Sequence, residues 1–109
     1  MSFISVLLKR PGQIPRHVNV SNSLEALQKN VDGKIETLTI AKDLVVICNE
    51  EGKDIGLPYN CRICGVDFVG TILMAGVKGD EFDDLPATWK EMKERFPRLW
   101  EEPAGGVEP

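Results

Sequence analysis

The chain has 109 residues, of which 42% are hydrophobic and 28% charged, and a formal net charge of −4. That length is one ordinary domain, able to bury a core without cross-links. Residues 1–49 carry six Lys/Arg against four Asp/Glu and residues 50–109 carry seven against thirteen, which excludes a general nucleic-acid binder with a basic face and is too mild for a mimic of the phosphate backbone.

Residues 3–8, Phe-Ile-Ser-Val-Leu-Leu, read as a first strand. The run is too short to span a membrane and lacks the basic flank and cleavage site of a signal peptide. The turn signal Lys9-Arg10-Pro11-Gly12 ends it, and residues 18–20 form a second short strand. Asn22 and Glu25 have capping-box spacing, Leu24, Leu27 and Val31 share one helical face, and Gly33 is placed to end that helix. Residues 34–40 alternate, with Ile35, Thr37 and Thr39 on one side and Glu36, Leu38 and Ile40 on the other, as a strand does. Residues 44–47 form a more buried strand. The polar stretch Cys48-Asn49-Glu50-Glu51-Gly52 follows it, and a positive φ at Gly52 would close a short hairpin loop.

Residues 67–77 predict one long strand, with Gly70 and Gly76 marking bulges or places of close approach. Beyond it, Leu85, Trp89, Met92 and Phe96 draw an apolar helix face, capped by Asp83 or Asp84 and stopped by Pro97. The domain is expected to occupy residues 1–97. Residues 98–109 read as a tail in which Leu99 and Trp100 have the character to dock. The element order, with strands too closely spaced for crossover helices, predicts an α+β domain built on a mainly antiparallel sheet with two helices.

The loop residues Asn49 and Glu50, the turn residues Tyr59 and Asn60, and Glu36 on a neighbouring strand form the expected working surface, because these polar segments have the least structural purpose. No catalytic residue is assigned. Cys61 and Cys64 have the Cys-x-x-Cys spacing, but a structural zinc needs four ligands and only Cys48 and His17 remain to supply them. The pair does not clearly open a helix, which weighs against redox use. Three cysteines without an export signal indicate reduced thiols in a cytoplasm. Asp80, Glu81, Asp83 and Asp84 lack EF-hand spacing and suit a helix N-terminus. Neither G-x-G-x-x-G nor a Walker pattern occurs. No metal and no cofactor is therefore expected.

The ordered segments Ser23-Leu24-Glu25 with Gln28, Val31-Asp32-Gly33-Lys34-Ile35-Glu36, Cys48-Asn49-Glu50-Glu51-Gly52-Lys53 and Gly56-Leu57-Pro58-Tyr59-Asn60 resemble domain of unknown function 3846. The resemblance continues through Gly70, Gly79, Phe82 and Leu85, and it does not include the cysteine pair. It implies a phage or mobile-element setting and carries no established chemistry. The expected role is a non-enzymatic binding protein that sequesters a small signalling nucleotide or blocks a host protein, a counter-defence task. The alternative is a small hydrolase using Glu36 and Glu50. A homo-oligomer, most simply a dimer, is expected because residues 67–77 carry more apolar side chains than two short helices readily cover.

Overall fold

Residues 6–8, Val-Leu-Leu, are apolar without alternation, and a strand buries such a run only when both its faces are covered. The computed structural model describes residues 2–101. Its elements in chain order are β1 (Phe3–Lys9), β2 (Arg16–Ser21), α1 (Leu24–Val31), β3 (Ile35–Ala41), β4 (Leu44–Asn49), β5 (Tyr59–Ile63), β6 (Val66–Val69), β7 (Ile72–Lys78), β8 (Glu81–Asp83), α2 (Trp89–Arg95) and a 3-10 turn Pro97–Trp100.

The main sheet has the order β2-β1-β7-β4-β3, with β8 paired to β7, and β5 and β6 form a separate hairpin. Every pairing is antiparallel. Strand β1 pairs with residues 72–74 of β7 and β8 with residues 76–78, so two short strands share one flank of β7. The architecture is α+β, as the element order predicts.

Both faces of the sheet are covered. On one, Val6, Leu8, Val45, Ile47 and Leu73 pack with Leu27 and Val31 of α1. On the other, Leu7, Leu44, Val46, Ile72 and Met74 pack with Ile63 and Phe68 of the hairpin, Met92 of α2 and Leu99 of the 3-10 turn. All six residues of β4 are buried as a result. Leu27 and Val31 lie four apart on α1 and each gains roughly 1.5–3 kcal/mol from this burial, whereas Leu24, expected on the same face, is 60% exposed.

Several boundaries differ from the sequence expectation for identifiable reasons. Ser23, not Asn22, caps α1, its Oγ accepting from the Ala26 N–H at 3.2 Å, because Asn22 Nδ2 donates to the Phe82 carbonyl at 3.1 Å. Asp32 takes the left-handed position after the helix, φ 62°, and Gly33 is needed for space instead: a Cβ there would stand 2.7 Å from Asn49 Nδ2. No hairpin closes at Gly52. The chain makes successive turns, Leu57 N–H donating to the Gly52 carbonyl at 3.0 Å, and the left-handed glycine is Gly56.

The expected single strand over residues 67–77 is two strands in different sheets. Gly70, at φ 71°, breaks it, donating its N–H to the Pro58 carbonyl at 2.7 Å. Beyond the break β7 enters the middle of the main sheet, where Ile72, Leu73 and Met74 are buried within the protein. The apolar surplus of residues 67–77 is therefore covered within the chain and needs no second copy. Gly76 lies under the Asp84 carbonyl, which leaves no space for a Cβ.

Helix α2 starts later than residues 83–84 suggest. Asp84 is occupied with β1, its Oδ1 accepting from the Ser5 N–H at 2.7 Å, and the cap is Thr88, in a capping box with Glu91. Leu99 is buried and Trp100 half-buried, with the Trp100 ring edge-on to Trp89 at 5.4 Å. The rest of the expected tail, residues 102–109, lies outside the described residues. Among the described residues no helix is long and apolar enough to cross a membrane.

Candidate functional site

Strand β1 ends on the hairpin side of the sheet, where Leu7 is buried and Lys9, two residues on, continues the same face. Lys9 is only 7% exposed. Its Nζ donates to Asn60 Oδ1 at 2.9 Å and, at 3.5 Å, to the Arg10 carbonyl. Asn60 answers with Nδ2, which donates to the Lys9 carbonyl at 2.8 Å and the Gly70 carbonyl at 2.7 Å. One amide thus clamps the end of β1, the start of β5 and the break between β6 and β7. Its donors and acceptor are all engaged, as a buried amide requires.

The ammonium has no carboxylate beside it: among the described residues the one ion pair is Arg62–Asp67, at 3.8 Å. Burial pushes the Lys9 ammonium below its ordinary value, with Cys61 opposing the shift. A buried cation held by neutral acceptors, without a counter-charge, is costly and unusual. It forms the floor of a cleft of about 630 Å³, lined also by Gln13, Tyr59, Cys61, Arg62, Arg98, Leu99 and Glu101. Burial raises the Cys61 thiol to about 11 while Lys9 draws it down; at neutral pH it is a protonated thiol and a poor nucleophile.

A second cleft, of about 300 Å³, opens on the other side of the hairpin and is lined by Glu36, Cys48, Asn49, Glu50, Lys53, Asp54 and residues 66–69 of β6. Glu36 stands opposite Cys48 in the β3–β4 pairing. The Cys48 thiol rises to about 11, mainly through burial and then through Glu36, against the pull of Lys53. Asn49 is buried, donating from Nδ2 to the Val31 and Asp32 carbonyls at 3.1 and 3.2 Å and accepting at Oδ1 from the Glu51 N–H at 2.8 Å. It fastens the end of α1 to the end of β4.

The residues expected to form one working surface are therefore divided. Glu36, Asn49 and Glu50 share the second cleft, and Tyr59 and Asn60 share the first. The Asn49 side chain belongs to the α1 side of the sheet and the Asn60 side chain to the hairpin side. Tyr59 reaches across the hairpin, its hydroxyl donating to Asp67 Oδ1 at 3.2 Å. Cys48 is buried in β4, Cys61 half-buried in the first cleft and Cys64 exposed at the hairpin turn. Among the described residues no three His, Cys, Asp or Glu side chains gather as metal ligands.

Sequence reasoning missed Lys9, Arg62 and Arg98. One signal was present for Lys9: it directly follows the apolar run of a strand covered on both faces, so the next residue in register is also placed to be buried. Nothing local marks Arg62 or Arg98, which the hairpin and the 3-10 turn bring to the same cleft.

A sequence model of the family described as Domain of unknown function (DUF3846) matches residues 4–97, a span that includes Lys9, Asn60 and Arg62. No curated protein and no solved structure matches the chain.

Proposed function

The chain belongs to the DUF3846 family, and from that premise we propose that it is a non-enzymatic binding protein that holds a small molecule in the Lys9 cleft. One observation supports this above the others: a cleft of about 630 Å³ has a buried ammonium at its base with, among the described residues, no carboxylate paired to it. A buried charge that the protein leaves unpaired is stabilised when a ligand of opposite sign arrives. The surroundings suit retention better than turnover. The nearest thiol is held protonated, and the sole histidine, His17, is exposed on β2.

In the phage or mobile-element setting that the family suggests, capture of a small signalling nucleotide is the counter-defence role of matching size; blocking a host protein is the other. A hydrolase built on Glu36 and Glu50 has in its favour that both carboxylates line one cleft. Strands β2 and β3 are the ends of the main sheet, and an open edge is where a second copy would pair; sedimentation at micromolar concentration tests that pairing, and a clean monomer sinks it.

Native mass spectrometry of freshly purified protein tests the binding reading. A co-purified small-molecule mass, released intact on denaturation, supports it. A cleaved product after incubation with nucleotides moves the protein to the hydrolases, and a bare polypeptide mass turns the search to a protein target.

A further inference from the structure

We infer that the Lys9 cleft is a phosphate site, taking a phosphorylated small molecule whose phosphate oxygens meet Lys9 Nζ at the base and the Arg62 and Arg98 guanidinium groups above it. The inference rests on the binding reading and specifies its ligand. Among the described residues three cations line this cleft against one carboxylate, Glu101. That excess suits a group carrying two negative charges better than a single carboxylate, which would answer the buried Lys9 and leave the two guanidinium groups above it unused. The donors suit it as well. Of the three N–H bonds of an ammonium, Lys9 uses one firmly on Asn60 and one at the limit of range on Arg10, which leaves capacity for a ligand oxygen.

Arginine presents a planar fork matched to phosphate, and neither guanidinium is locked elsewhere. The Arg62–Asp67 contact is long, at 3.8 Å, with the two side chains 64% and 47% exposed, so Arg62 exchanges one anion for another at little cost. Arg98 has no ion pair among the described residues. The volume of about 630 Å³ exceeds what a phosphate alone fills, and Leu99 with the exposed Tyr59 ring supplies walls for an organic body. A nucleotide-sized phosphate ester satisfies both halves of the cleft.

Isothermal titration of the full chain with pyrophosphate, ADP and citrate tests this, citrate being a polyanion of comparable charge without phosphorus. Pyrophosphate and ADP are expected to bind and citrate to bind more weakly, by about tenfold. Lys9→Met should weaken pyrophosphate by about tenfold or more. Because Lys9 is buried, a second variant guards against misfolding: Arg62→Ala with Arg98→Ala alters exposed side chains only and should weaken pyrophosphate to a similar degree. Asp67→Asn, which frees Arg62, should tighten it by roughly twofold. Equal affinity for citrate and pyrophosphate, or a double arginine variant that binds like the parent, overturns the inference. So does the absence of any heat with the phosphate probes; in that case a co-purified, phosphorus-free ligand leaves the binding reading standing, and a bare protein removes both.

Discussion

The two clefts flanking the β5–β6 hairpin are built alike and charged oppositely. Each is tied to the scaffold by a buried asparagine, Asn60 on one side and Asn49 on the other, and each holds a cysteine whose thiol is raised to about 11. The first is lined by Lys9, Arg62 and Arg98 against Glu101, the second by Glu36, Glu50, Asp54 and Asp67 against Lys53. The partners of the two amides differ more tellingly. Asn49 bonds to backbone groups alone, while Asn60 also accepts from the Lys9 ammonium. A buried amide whose bonds all go to backbone explains itself as architecture. A buried ammonium with no ion pair among the described residues does not, and that separates a functional candidate from a structural joint.

The comparison breaks first at the asparagines. Asn60→Ala strips partners from two carbonyls and a buried ammonium together and is expected to cost about 3–4 kcal/mol in urea unfolding. Asn49→Ala leaves backbone groups unpaired and should cost about 2–3 kcal/mol. Only the first should also abolish anion binding; loss of binding in the second would merge two sites treated as separate.

Next come the glycines that make room beside each joint. Gly70→Ala combines a φ of 71° with a Cβ 2.7 Å from Leu57 Cδ1, and Gly33→Ala pushes a Cβ onto Asn49 Nδ2. Each should lower stability by roughly 1–2 kcal/mol, and a neutral result at Gly33 would show that the Asn49 joint has slack.

The thiols sharpen the comparison through pH. Cys48 and Cys61 are raised from 9.0 to about 11, so the fold favours their protonated forms. The stability this supplies is complete below pH 9 and is lost as pH climbs towards 11, because the unfolded thiols ionise first. Thermal melts across that window should show Tm falling, less steeply in Cys48→Ala. Lys9 acts with the opposite sign: burial penalises its charged form, and the penalty is relieved as the ammonium loses its proton. Anion affinity in the first cleft should decline as rising pH removes that proton, earlier than for an ordinary lysine. Alkylation at neutral pH should reach exposed Cys64 first, and pyrophosphate should slow labelling at Cys61 without effect on Cys48. The smallest effect is expected at the hairpin pair. Arg62→Ala removes an exposed, long ion pair and should change stability by less than about 0.5 kcal/mol while still weakening pyrophosphate.

Much of the scaffold was legible because it follows local rules. Leu27 and Val31 at helical spacing, the alternation of residues 35–40 and the apolar block at 44–47 all lie where their patterns point. The division of residues 67–77 was not legible. Phe68 and Val69 belong to one layer and Ile72, Leu73 and Met74 to another, yet both stretches are apolar, and the break at Gly70 is fixed by Pro58 and Asn60, at the entry to β5. The site divides in the same way. Glu36, Asn49 and Glu50 fall together at the second cleft because β3 and β4 are consecutive paired strands. Tyr59 and Asn60 went to the other cleft because the chain between Asn49 and Tyr59 turns out of the main sheet, which no residue in that segment announces. Lys9 was overlooked because its depth depends on a hairpin laid over it from 51 residues away.

That separation has a kinetic consequence. The Lys9–Asn60 bonds close a loop spanning about half the chain, and β1 reaches its central position only by pairing with β7, more than sixty residues later in the chain. Contacts of this range form slowly, since loop closure precedes any compensating interaction. A nascent chain that ends before β7 lacks both the neighbour of β1 and the Arg98–Leu99 wall, so no early fragment can display the cleft. Binding competence is acquired at the end of folding, and recovery of pyrophosphate binding during refolding should lag the recovery of helix signal from α1, whose contacts are local.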